Sequence, residues 1–283
     1  MDETGPQISF GTAFFVHFPD ERLGPGQGFC YLATARHVIE SGKNDGTRAQ
    51  LTNLGMWINR KPEASPPALE WIQLPLPDKK ELHGWYFPEV KSVDLAILPG
   101  CPDEKLFEYR GVPTTWFVTK EILSQNDVTE NDEIMFPTLF SQYSTDERNY
   151  PIIRHGRVSL ITDRLIPVGK KKPGVRRSLF LLEATAFPGN SGSPVFLRLG
   201  GARDTKGGGI LQVGLRYFLL GVLEATFPEN TEITVGGTIT QVPLNSGIAG
   251  VIPAWQLIDI LEQKELKDMR EQVVRGREAH RPQ

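Results

Sequence analysis

Apolar, β-favouring runs of strand length, separated by turn residues, recur along most of this chain. Ile8–Phe18, Gly28–Ala35, Val93–Leu98, Thr115–Val118, Glu133–Phe136, Pro151–Thr162, Leu179–Ala184, Pro194–Leu199, Tyr217–Thr226 and Ile248–Ile252 are each predicted as strands. Strands and helices do not alternate as a parallel sheet requires. Two helices are predicted: a short one after His37, and a longer one from about Ala254 towards Arg275. In the latter, Trp255, Leu257, Ile258, Ile260, Leu261 and Leu266 lie among charged residues, with Pro253 at its entry. The pattern predicts an all-β chain with a C-terminal α-helix.

At 283 residues the chain is long enough for one large domain or two modest ones. Its 28 glycines and 22 prolines supply the turns that many short strands need. A net charge of −3 gives no reason to expect nucleic acid or an anionic membrane as partner. The two cysteines, Cys30 and Cys101, sit beside apolar or turn residues and are read as free thiols of a reducing compartment. The acidic N-terminus lacks the features of a signal peptide, and Phe218–Phe227, with Glu224 inside it, is too short to span a membrane. The expectation is a soluble, cytoplasmic protein.

Three segments invite a functional reading and receive a plainer one. Pro62–Pro77, with Trp57, Trp71 and Trp85 around it, reads as an insertion packed by its aromatics, more than as a peptide-binding surface. Lys170, Lys171 and Lys172 with Arg164, Arg176 and Arg177 make a basic stretch without interleaved aromatics, so an exposed loop is expected there. Gly207–Gly209 lacks the context of a phosphate loop and reads as a hairpin tip.

Candidate chemistry concentrates in Gly189-Asn190-Ser191-Gly192-Ser193-Pro194. A serine hydroxyl becomes a nucleophile when a base takes its proton and donors stabilise the resulting oxyanion. Small flanking residues let a carbonyl approach Ser191, and Gly189 permits a tight turn that aims its N–H and that of Ser191 at one point. A plain glycine-serine turn is the simpler reading. A hexapeptide of this pattern arises by chance in roughly one chain of this length in ten thousand. His37 differs from His17, His83, His155 and His280 in closing an apolar strand, Tyr31–Ala35, that leads into a short helix. Asp94 opens an almost wholly apolar strand, where a carboxylate is costly without a close partner such as an imidazole.

These segments, in the order His, Asp, Ser, resemble the chymotrypsin-like (trypsin-fold) serine peptidases, and most of all the HtrA/DegP-type and bacterial trypsin-like branch. Phe10–Val16, Arg154–Ser159, Glu183–Pro188 and Gly247–Pro253 are similar to further motifs of that branch, so the likeness runs over about residues 8–262. The resemblance implies two packed six-stranded antiparallel β-barrels, the first over residues 1–114 with His37 and Asp94, the second over 115–253 with Ser191. Residues 254–283 then form a helix and tail, and no PDZ domain is expected. It implies a serine endopeptidase acting on a protein or peptide without cofactor or metal. His37 would be general base, Asp94 its orienting acid, Ser191 the nucleophile, and the N–H groups of Gly189 and Ser191 the oxyanion hole. Thr185, Glu224, Ala225, Ala249 and Gly250 would line the specificity pocket, with Glu224 able to turn inward and select a basic residue. Arg36 and Ser193 depart from the family pattern without removing a catalytic group. Asn190 cannot make the ion pair that activates digestive relatives, which leaves control to loops or a partner. An inactive barrel used as a binding module is the alternative.

Overall fold

Alternate residues of the first strand feed two different cores. The computed structural model describes residues 11–40, 53–63, 68–76, 84–139, 148–168, 175–204, 209–235 and 238–279. Strand β1 (Ala13–Pro19) pairs antiparallel with β2 (Gly28–Ala35), which leads into the one-turn helix α1 (Arg36–Ile39). Strand β2 in turn pairs with β5 (Leu95–Pro99), and β6 (Gly111–Pro113) closes the other edge parallel to β1. The period of two along a strand sends successive side chains to opposite faces. Phe14, Val16, Tyr31, Ala33, Leu95 and Ile97 therefore face one core, while Phe15, Leu32 and Ala96 face another. Burial on both faces explains why these strands are nearly continuous apolar runs.

The ribbon β3 (Gly55–Asn59) and β4 (Leu69–Gln73) covers the outer of those cores with Met56, Ile58 and Ile72. Its cross-strand pair Trp57 and Trp71 points outward, the rings 5.2 Å apart. Buried Trp85 ties the end of this insertion down through Nε1, which donates to the Pro75 carbonyl at 2.8 Å. The described part of Pro62–Pro77 is thus tied to the fold by buried Trp85, while Trp57 and Trp71 stay on the outside.

After β6 the chain makes a 3-10 turn at Thr114–Trp116, where the sequence reading expected a strand at Thr115–Val118. Phe117 instead makes a single bridge to Leu219, and Val118 is buried, which accounts for the apolar signal there. Helix α2 (Lys120–Gln125), capped by Thr119, then leads to β7 (Glu133–Leu139). With β8 (Pro151–Leu160), β11 (Phe180–Ala184), β12 (Pro194–Asp204), β13 (Ile210–Val235) and β14 (Thr238–Pro253) it forms a closed six-stranded barrel. The barrel is filled by Ile134, Phe136, Val158, Leu182, Val195, Leu197, Leu220 and Val251. Strands β9 (Ile166–Val168) and β10 (Val175–Arg177) form a small antiparallel ribbon. The architecture is all-β and chymotrypsin-like. The second half closes as expected; the described strands of the first half form a four-stranded sheet and a separate ribbon.

The C-terminal helix is two helices, α3 (Trp255–Leu261) and α4 (Lys264–Ala279), divided at Glu262 and Gln263. Leu257, Ile260, Leu261 and Leu266 seal the core that both halves share, alongside Phe117, Leu219 and Val222. Buried Arg270 locks α4 in place: its Nη1 donates to Tyr31 Oη at 3.1 Å and to the Leu261 carbonyl at 2.8 Å, over the ring of Phe18.

One expectation is overturned. Cys30 and Cys101 are joined in a disulfide, with Cα atoms 5.7 Å apart. The pairing of Tyr31 with Pro99, continued by the Gly100 N–H donating to the Cys30 carbonyl, brings residue 101 across from residue 30. That spacing is the ordinary one for a disulfide. The free-thiol argument for a reducing, cytoplasmic location falls with it. Among the described residues, no helix is long and apolar enough to cross a membrane.

Candidate active site

Strand β2 ends where α1 begins, and this corner presents His37. The first strand residue after Asp94 is Leu95, so the acid stands at the entry of β5, beside that corner. Asp94 holds it by three bonds. Its backbone carbonyl accepts the Arg36 N–H at 3.1 Å, its Oδ1 accepts the His37 N–H at 2.9 Å, and its Oδ2 lies 2.5 Å from His37 Nδ1. The Asp94 side chain is only 8% exposed, whereas that of His37 is 47% exposed, so the imidazole reaches out of the fold from a buried carboxylate. Burial pushes the Asp94 carboxyl up; the hydrogen bond and charge of His37, joined by Arg177, outweigh it and hold the group below the ordinary carboxylate range.

Ser191 lies in the turn between β11 and β12. Gly189 and Gly192, on either side of it, have φ of +94° and +89°, the left-handed region that glycine enters without penalty. A side chain at Gly192 would also collide with the Thr12 carbonyl and the Thr34 hydroxyl. The turn is docked on the first half: the Thr12 N–H donates to the Ser191 carbonyl at 2.8 Å, and Thr12 Oγ1 to the Gly189 carbonyl at 2.9 Å. Thr34, three residues before His37, donates to the Thr12 carbonyl at 2.7 Å. These bonds bring the serine turn to the strand end that carries the histidine. The Gly189 and Ser191 N–H groups donate to no acceptor among the described residues.

Asn190 is buried and anchors the turn internally. Its Oδ1 accepts the Phe187 N–H at 2.9 Å and its Nδ2 donates to Thr138 Oγ1 on β7 at 2.5 Å. A neutral amide bonded to a neighbouring strand thus holds the residue before Ser191. Ser191 Oγ donates to the Glu224 carbonyl at 3.2 Å, and no hydrogen bond joins it to His37 among the described residues.

Sequence reasoning missed Arg177. Its Nη1 lies 3.3 Å from Asp94 Oδ2, and it also ion-pairs with the carboxylate of Glu224. Glu224 is 3% exposed, and its side chain is committed to Arg177. Of the other expected pocket residues, Thr185 is exposed just beyond β11, and Ala225 pairs with Gly250 across β13 and β14. Ala249 is fully buried in the barrel core, and Gly250 lies against Leu179 and Phe227. Lys170–Lys172 lie outside the described residues. No group of acidic, histidine and cysteine side chains suited to a metal occurs among the described residues.

No family model matches the chain, and no curated protein is recognisably similar to it. Among solved structures, the chain is similar to an inactive serine-to-alanine mutant of Rv3671c from M. tuberculosis H37Rv. The match has 15% identity and a TM-score of 0.39, over 89% of this chain and 78% of that one. A likeness so remote carries no functional weight.

Proposed function

We propose that this chain is a serine endopeptidase, with His37 as general base, Asp94 orienting it and Ser191 as nucleophile. The observation that carries this reading is the 2.5 Å contact between Asp94 and His37, together with a serine held between two left-handed glycines. Asp94 fixes the imidazole with Nδ1 protonated, which leaves Nε2 free to accept. Ser191 Oγ exchanges its Glu224 carbonyl partner for His37 Nε2 and attacks the substrate carbonyl carbon while its proton passes to the ring. The carbonyl oxygen becomes an oxyanion between the Gly189 and Ser191 N–H groups. The C–N bond then breaks as the imidazolium protonates the leaving amine. Water, deprotonated by His37, releases the acyl group from Ser191 and restores the enzyme.

On this reading cleavage follows an uncharged, small-to-medium apolar residue such as Val, Ala, Leu or Thr. Neutral Thr185 and the engagement of Glu224 by Arg177 favour it, because the Glu224 carboxylate already faces a cation. An apolar pocket discriminates by about 1–3 kcal/mol per methylene, so the preference is graded.

The test is cleavage of a diverse peptide library by wild type and by the Ser191→Ala and His37→Ala proteins. Either substitution should lower turnover on the order of a millionfold, and Asp94→Asn roughly ten-thousandfold. Near-normal turnover by Ser191→Ala contradicts the assignment, and a dominant preference for Arg or Lys contradicts the specificity. The second reading is a binding module on an inactive protease-like fold. It draws on the Ser191 hydroxyl resting on a backbone carbonyl instead of on His37. It predicts no cleavage by wild type.

A further inference from the structure

The oxygens of Asp94 do not serve His37 alone. Oδ1 accepts the His37 backbone N–H, and Oδ2 takes both the imidazole Nδ1, at 2.5 Å, and the Arg177 guanidinium, at 3.3 Å. The same guanidinium neutralises buried Glu224, whose own backbone carbonyl receives the Ser191 hydroxyl. Arg177 therefore connects the carboxylate behind the base with the residue beneath the nucleophile. Its side chain is 25% exposed, so its charge is only partly screened by water.

We infer that Arg177 is a positioning residue that sets the basicity of His37 by sharing the Asp94 carboxylate with the imidazole. A carboxylate facing only the ring stabilises the imidazolium with its full charge; one that also faces a guanidinium stabilises it less. The charged groups that face this pair from the surrounding elements are few among the described residues. On α1, Arg36 turns its side chain to Glu40, at 3.0 Å, and to the ring of Phe87, so it answers its own carboxylate. The entry to β5 brings Asp94, β10 brings Arg177, and β13 brings Glu224. Glu224 without Arg177 would add a second negative charge near the ring and draw the imidazole proton more tightly. Arg177 thus cancels one carboxylate and weakens the other. Both effects favour the neutral imidazole, the form able to take the serine proton.

The catalytic meaning of this inference rests on the peptidase reading, but its test does not. Ring-proton NMR titration of His37 in the full chain, assigned by comparison with His37→Gln, is made in wild type, in Arg177→Met/Glu224→Gln and in Arg177→Lys. The double substitution removes both charges while keeping side chains of similar size. Lysine keeps a positive charge for Glu224 but, being shorter, withdraws it from Asp94. The His37 midpoint should rise by about half to one pH unit in the double variant, and by less in Arg177→Lys. If the double variant does not fold, a rise in Arg177→Lys alone decides for the inference. An unchanged or lowered midpoint in the folded variants overturns it. In an active enzyme the acid limb of the kcat/KM profile moves with the midpoint, whereas a purely structural arginine leaves its position unmoved. A wild type that cleaves nothing but shows the NMR shift removes the peptidase reading and leaves this inference standing. Cleavage by wild type without the shift does the reverse.

Discussion

Asp94 and Asn190 show how single buried polar groups hold the site, and each yields a prediction. The folded Asp94 carboxyl titrates below its unfolded range, so it contributes stability above the unfolded value, near pH 4, that is lost as pH falls through the folded one. Urea midpoints of wild type should fall between pH 6 and pH 3 by more than those of Asp94→Asn; equal falls would contradict the pairing. Asn190→Ala should cost about 1–3 kcal/mol, because Thr138 and the Phe187 N–H lose a buried partner. On the peptidase reading it should also lower kcat more than it raises KM, since a loose turn would misplace the proposed oxyanion donors; a wild-type kcat would contradict that role. These residues differ in how far the sequence reveals them. The turn holding Ser191 is legible because its glycines are contiguous with the serine, and the Asp94–His37 contact because an acid opening an apolar strand needs a partner. Arg177 was hidden: 83 positions from Asp94, in a basic stretch that reads as an exposed loop. Glu224 was legible as an acid able to turn inward, but not its partner, because nothing local links β10 to β13.

Elements follow the same division between local and distant causes. Strand β2 has the predicted bounds, Gly28–Ala35, because apolar residues and a terminal histidine delimit it. The ribbon β3–β4 was masked by prolines and by its outward tryptophans, and the parallel edge strand β6 is too short to leave a periodic signal. The Cys30–Cys101 disulfide was misread because compartment statistics stood in for register, which only the β2–β5 pairing supplies. It closes a separation of 71 residues, so reduction should lower stability by about 2–4 kcal/mol. Urea unfolding with and without a thiol reductant checks this, with Cys30→Ala/Cys101→Ala as the insensitive control. No change in the wild-type midpoint would mean that the bond carries no stability.

At the scale of the molecule, the site lies where the two halves share contacts. The serine turn of the second half hangs on Thr12 and Thr34 of the first, Arg177 joins Asp94 to Glu224, and α3 seals the common core. Apolar runs of strand length made the all-β class legible, while the joining of its halves depends on single bonds across 83 and 177 positions. Those bonds matter to the proposed function only if they make Ser191 a nucleophile. The most direct measurement is labelling of the folded protein with a fluorophosphonate, read by intact mass and peptide mapping. Stoichiometric modification of Ser191, absent in Ser191→Ala and reduced at least about a hundredfold in rate in His37→Ala, is the predicted result. No adduct on Ser191, or equal labelling of the His37→Ala protein, would contradict the account.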